Sequence, residues 1–155
     1  MSATADRIPN LDRLLASVVA LRAQVPKEAL SASRLGTDRA GSAVAILAPE
    51  TPPGLFLTVG YLVTDADMIW LTDHRGRTGP AFALAQDQDT GFALVRAVSM
   101  EGLDAPPLPL GDSDAISVGD IAVIAGAGGR PGAVTGKVVA RQPFTGYWEY
   151  MVDDA

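Results

Sequence analysis

The sequence contains no cysteine, which excludes disulfide bonds, a catalytic thiol and zinc sites built on cysteine. It contains one histidine, His74, so an imidazole can come from a single position only. His74 and the nearby Asp65, Asp67 and Asp73 do not follow a recognised metal-ligand spacing. We therefore expect neither a metal ion nor another cofactor.

Positive charge is also scarce, with 12 Lys and Arg against 18 Asp and Glu and a net charge of -6. Without a basic stripe, we expect no nucleic-acid partner. The apolar stretch 14–23 is interrupted by Arg22 and is shorter than the roughly 20 residues of a spanning helix, so we expect no membrane span. Residues 1–10 lack the features of a signal peptide, which taken literally favours the cytoplasm.

Apolar residues, glycine and proline are plentiful, at 48% hydrophobic with 16 Gly and 11 Pro. Short apolar runs separated by such turn residues indicate β structure rather than a helical bundle. A short helix is predicted over Leu11–Ala16. Six strands are predicted before the proline-rich segment 105–109, a number that favours a barrel or sandwich: 17–25, 41–47, 55–59, 68–72, 78–85 and 92–97.

Three further strands are predicted beyond that segment, at 120–125, 133–140 and 147–152. Three strands do not close a barrel, and the sheet they form would expose an unpaired edge. We therefore expect the remaining strands to come from a second chain, from a C-terminal part removed by cleavage or from a region outside this sequence.

Residues 110–120 have the sequence Leu-Gly-Asp-Ser-Asp-Ala-Ile-Ser-Val-Gly-Asp and precede the apolar strand 121–125 and Gly126. This segment resembles the connection between the two barrels of HtrA/Deg proteases, although a generic Asp/Ser/Gly loop is the alternative. Residues 41–46 and 133–141 are similar to other segments of that family, in the family's order. The resemblance covers about residues 17–155.

The resemblance implies an all-β, chymotrypsin/trypsin-like double β-barrel whose second barrel is incomplete in this chain. Residues 1–16 would form an N-terminal segment with the short helix, and 17–104 the first barrel. Residues 105–119 would connect the barrels, and 120–155 would form the first part of the second barrel. Family members often trimerise and carry peptide-binding PDZ domains, so the resemblance allows a homo-oligomer and implies a protein or peptide partner. The family also suggests a periplasmic or cell-envelope location.

Two positions of the catalytic triad are replaced. The family's Leu-Thr-x-x-His segment corresponds to residues 57–61, where Tyr61 occupies the histidine position. The family's Thr-Asp-Leu-Ala segment corresponds to residues 90–93, where Gly91 occupies the aspartate position. A phenol that titrates near 10 is a poor general base at neutral pH. Asp89 lies two residues earlier, and a shift of roughly 6.6 Å along a strand is too far for an unaltered hydrogen bond to the base.

The nucleophile cannot be identified either, because the family's Gly-Asn-Ser-Gly-Gly-Pro loop would follow Ala155. His74 lies in the predicted turn 73–77 and is interpreted as a solvated turn histidine.

Gly126 begins a glycine-rich segment, but Pro131 takes the third glycine position of a dinucleotide motif. The segment 87–91 begins like a calcium loop, but Val98 stands where the bidentate glutamate is needed, so a polar turn is predicted.

Two functional hypotheses follow from the resemblance. The first is a catalytically inactive pseudoprotease with a binding, scaffold or regulatory role, with no catalytic residues in this chain. The alternative is an active serine endopeptidase with a rearranged active site, for example one that recruits His74.

Overall fold

The structure, a computed structural model, describes residues 10–142. Three short helices and nine strands make up this part of the chain. The helices are α1 (Leu11–Ala16), α2 (Ala32–Leu35) and α3 (Gly60–Val63). The strands are β1 (Val18–Gln24), β2 (Asp38–Leu47), β3 (Leu55–Val59), β4 (Met68–Thr72), β5 (Thr78–Gln86), β6 (Phe92–Ala97), β7 (Leu108–Pro109), β8 (Ile121–Ala125) and β9 (Ala133–Lys137).

The first six strands form a closed antiparallel barrel in the order β1-β4-β5-β6-β3-β2, with β2 pairing back to β1. The register of the closing pair runs from Val18 opposite Val44 to Gln24 opposite Asp38. Closure removes the exposed edges that an open sheet would present to solvent. The predicted all-β class with one complete barrel and further strands is therefore confirmed.

Alternating side chains on the strands fill the barrel, as the two-residue period of a strand requires. Val95 and its neighbours Ala93 and Ala97 on β6 point inward, whereas Phe92 on the same strand is about half exposed. Fully inaccessible side chains from other strands meet them at the centre: Leu21, Phe56 and Leu71. This cluster is the main hydrophobic core of residues 10–142.

A two-stranded antiparallel ribbon follows the barrel, formed by β8 and β9, with Val123 opposite Thr135. Strand β7 lies in the predicted connector and pairs in parallel with the end of β2. The glycine-rich segment after β8 leads through a short 3-10 turn into a strand, not into a helix. It therefore lacks the helix N-terminus that a dinucleotide pyrophosphate site requires.

The predicted segments differ from the structure mainly at their ends and in the short helices. The predicted strand 133–140 is too long, because β9 ends at Lys137 and the pairing then closes with hydrogen bonds between Val138 and the backbone of Gly119 and Asp120. Helices α2 and α3 are single turns of four residues, too short to show a helical period in the sequence. The predicted strand 147–152 lies outside the described residues.

Candidate functional site

The structure brings Tyr61 and Gly91, the two residues that the family resemblance aligns with triad positions, to the same end of the barrel. Tyr61 lies on α3, directly after β3, and Gly91 directly precedes β6. The ends of these strands meet where Val59 pairs with Phe92. The Gly60 N–H then donates a hydrogen bond of 2.7 Å to the Gly91 carbonyl. The two positions are therefore neighbours.

A buried arginine holds the segment that carries Tyr61. Arg39 at the start of β2 is 5% exposed, and its guanidinium donates to the carbonyls of Tyr61 (2.6 Å) and Thr64 (2.9 Å). It also donates to the Gly36 carbonyl (3.1 Å) and the Ser31 hydroxyl (2.7 Å). Burial lowers the pKa of Arg39, but a guanidinium remains charged in proteins. Arg39 therefore holds the backbone of α3 and of Thr64, the residue that follows it.

Gln86 holds α3 from the side of β5. Its amide nitrogen donates to the Thr64 hydroxyl at 3.0 Å. The Gln86 side chain crosses directly over Gly60, where a Cβ would come within 2.7 Å of the amide nitrogen. A Cβ at position 60 would therefore displace the end of the Gln86 side chain from its place over α3. The Thr64 hydroxyl also hydrogen-bonds to the Gly60 carbonyl.

Gly91 ends a tight turn in left-handed backbone, with φ +74°. Its N–H donates to the Asp87 carbonyl at 2.9 Å. The Asp87 carboxylate accepts from the Thr90 hydroxyl (2.7 Å) and the Asp89 N–H (3.0 Å), and these bonds lower the pKa of Asp87. Glycine adopts the left-handed region without a steric penalty, so Gly91 suits this turn.

Asp87 is therefore occupied by the turn, and the predicted polar turn at 87–91 is what the structure contains. Asp89 is exposed on that turn. Across residues 10–142 the structure has no group of three or more His, Asp or Glu side chains that could hold a metal ion.

Comparison with known proteins identifies the family. The family of trypsin-like peptidase domains matches residues 41–154, which is most of the chain. The chain belongs to this family. A probable periplasmic serine endoprotease, DegP-like, from Chlamydia pneumoniae is 33% identical over 76 residues, which span 49% of this chain and 15% of that protein.

Solved structures agree on the fold of this trypsin-like domain. Two structures of the HtrA-type protease AlgW with a tripeptide match with TM-scores of 0.62 and 0.61, each at 23% sequence identity. In both cases 84% of this chain is covered and only 38% of the other chain. The trypsin-like domain described here therefore spans well under half of those relatives.

His74 lies at the other end of the barrel of this trypsin-like domain. His74 belongs to the turn between β4 and β5. Strand β5 runs from this turn to Gln86, which lies at the end of the barrel that carries Tyr61. Strand β5 has nine residues and thus spans roughly 27 Å at about 3.4 Å per residue. The His74 ring is 28% exposed and lies 3.9 Å from the carboxylate of Asp104. The structure does not bring His74 to Tyr61 and Gly91.

Asp73, which directly precedes His74, accepts a set of hydrogen bonds that the sequence did not reveal. Its carboxylate is fully buried and accepts from the backbone N–H groups of Arg75 (2.8 Å), Arg77 (3.0 Å) and Asp104 (2.9 Å), and from the Arg77 guanidinium (2.8 Å). Burial opposes ionisation, but the hydrogen bonds outweigh it and lower the pKa of Asp73 to about 2. Asp73 thus joins the β4–β5 turn to the segment that leaves the barrel.

None of the helices in the described part of the chain is long and apolar enough to serve as a membrane span.

Proposed function

We propose that this HtrA/Deg-type domain does not cleave peptide bonds and instead binds protein or peptide segments at the barrel end that carries Tyr61 and Gly91. The observation that supports the proposal is the pairing of these two replacements. They lie next to each other, joined by the hydrogen bond from Gly60 to Gly91, where the family pattern calls for an imidazole and a carboxylate.

The chemistry follows from the groups that are present. Serine proteolysis requires a base that takes the proton of the hydroxyl and a carboxylate that orients this base. Tyr61 has a phenol, and Gly91 has no side chain. Losing triad members reduces turnover on the order of ten-thousand- to million-fold.

A binding role is supported by the aromatic surface at this end of the barrel. Tyr61 is 48% exposed and Phe92 is 49% exposed. Each immediately follows one of the two residues, Gly60 and Gly91, that share the backbone hydrogen bond. Aromatic side chains supply much of the affinity in many protein interfaces, because they bury a large area with few rotatable bonds.

We also propose that further strands complete the ribbon, from a C-terminal fragment or a second chain. Ile124 and Val134 stand opposite each other on β8 and β9, and each is 62% exposed. An apolar cross-strand pair that remains in water gains little, so a covering partner would stabilise the ribbon.

Incubation of the complete protein with unfolded casein and a fluorophosphonate probe tests the loss of proteolysis. We expect neither peptide release nor serine labelling above a heat-denatured sample, with a trypsin-like protease as the positive control. Labelling and peptide release that disappear in His74→Ala would instead support the active enzyme with a rearranged site.

Fluorescence polarisation with fluorescein-labelled unfolded casein tests the binding surface. We expect Tyr61→Ala and Phe92→Ala each to weaken binding about tenfold, as loss of an interface aromatic commonly does. Phe82→Ala is the matched control, because Phe82 is 45% exposed on β5 and lies outside the proposed surface. Equal weakening by all three variants, or no binding by the unaltered protein, would contradict the proposal.

A further inference from the structure

Within residues 10–142, the ribbon formed by β8 and β9 contributes to no buried apolar cluster other than the one it shares with α1. A two-stranded ribbon is marginally stable in water unless it packs against another element. Val123, Ala125 and Ala133 pack against Leu11 and Leu15 of α1, in a cluster separate from the core of the barrel. Leu11 and Leu15 are 5% and 4% exposed. Helix α1 thus supplies the apolar surface on which the ribbon rests.

Polar contacts join the same elements. The Arg130 side chain, between β8 and β9, contacts the Asp12 carboxylate of α1 at 2.5 Å through Nε and at 3.3 Å through a terminal nitrogen. On the barrel side, the Ala127 N–H donates to the Ser42 hydroxyl of β2 at 3.0 Å. The ion pair tethers the loop of the ribbon to α1, and the Ser42 bond holds the same loop against the barrel.

Helix α1 itself depends on these contacts. It has six residues, and isolated helices of that length do not persist in water. It runs directly into β1 through Ser17, whose buried hydroxyl donates to the Pro106 carbonyl in the segment that leads to the ribbon. The N-terminal helix and the ribbon therefore stabilise each other on the outside of the barrel.

We propose that α1, while docked, holds the β8–β9 ribbon against the first barrel, and that the ribbon detaches when α1 undocks. We call α1 in this role the clasp. The apolar contacts of Leu11 and Leu15 supply most of the attraction, and the pair of Asp12 and Arg130 fixes the position of the loop. Anything that competes for α1 would free the β8–β9 ribbon while the barrel remains folded. The clasp is independent of the proposed binding role of the Tyr61 surface.

Hydrogen exchange followed by mass spectrometry or NMR on the full chain tests the clasp. We expect Leu15→Ala to accelerate exchange in residues 121–125 and 133–137 about tenfold or more, because local opening of the ribbon becomes easier. Exchange in the core strands β1, β4 and β6 should stay unchanged. Equal acceleration in barrel and ribbon, or no acceleration of the ribbon, would overturn the proposal.

Charge variants test the ionic part without touching the apolar contacts. Asp12→Arg should accelerate ribbon exchange a few-fold, and adding Arg130→Asp should reverse much of that effect. The matched control is Asp38→Arg, which breaks the exposed pair of Arg22 and Asp38 (3.6 Å) on the barrel and should leave the ribbon unaffected. Acceleration of ribbon exchange by the control, or no recovery in the charge swap, would contradict the role of the ion pair.

Discussion

Replacing Asp73 with alanine is expected to lower the free energy of unfolding by about 3 kcal/mol or more, because buried donors lose their acceptor. The carboxylate is fully inaccessible and accepts three backbone N–H groups and the Arg77 guanidinium. Its removal leaves those backbone groups of Arg75, Arg77 and Asp104 without this partner. Urea denaturation of the full chain measures the difference.

Asp38→Ala is the control for this variant. Asp38 is 66% exposed and forms a surface pair, so its removal should change stability by less than about 0.5 kcal/mol. Similar stabilities of the two variants would show that the Asp73 network contributes far less than its burial implies.

Acid should weaken the hydrogen bonds to the Asp73 carboxylate over a defined pH range. The folded pKa of Asp73 is lowered to about 2 from the usual 3.8, so its contribution is complete above about pH 4 and is lost as the pH falls through 2. A difference of this size corresponds to roughly 2 kcal/mol. The stability gap between the unaltered protein and Asp73→Asn should therefore narrow between pH 5 and pH 2. If the difference in the free energy of unfolding between the two proteins stays constant over this range, the lowered pKa of Asp73 is contradicted.

The strands of the barrel could be predicted because their signals are local. Short apolar runs and the breakers between them indicated Leu55–Val59, Met68–Thr72 and Phe92–Ala97 with the bounds that the structure has. Closure of the barrel depends instead on the pairing of β1 with both β2 and β4, which joins residues far apart in the chain. The number of predicted strands allowed either a barrel or a sandwich, and the family resemblance supplied the expectation of a closed barrel.

The site was predictable only in part for the same reason. The positions of Tyr61 and Gly91 came from the family segments around them. Asp73 was recognised as a turn residue, but its bond to the Asp104 N–H joins residues 31 positions apart. The role of Arg39 could not be recognised from the sequence. An arginine at the start of a strand is usually solvated, and nothing in the neighbouring residues reveals that four acceptors surround it.

Replacing Arg39 with methionine is expected to lower the free energy of unfolding by about 2–4 kcal/mol and to loosen the segment that carries Tyr61. Methionine preserves the apolar volume of the side chain but cannot donate a hydrogen bond. The carbonyls of Tyr61 and Thr64 would therefore lose the bonds that hold α3 against β2, and the Gly36 carbonyl would lose its bond to the same side chain. Urea denaturation gives the loss of stability, and hydrogen exchange in residues 60–66 gives the local loosening.

Arg39→Lys and Arg22→Met serve as comparisons. Lysine keeps the charge, but one ammonium group cannot reproduce the separate contacts of Nε with Gly36, of Nη1 with α3 and of Nη2 with Ser31, and we expect an intermediate loss. Arg22 lies on β1 with 72% of its side chain exposed, so its replacement should change stability by less than about 0.5 kcal/mol. If the amides of residues 60–66 exchange no faster in Arg39→Met than in the unaltered chain, the guanidinium does not position α3. The hydrogen bond from Gly60 to Gly91 would then be sufficient to hold α3 in place.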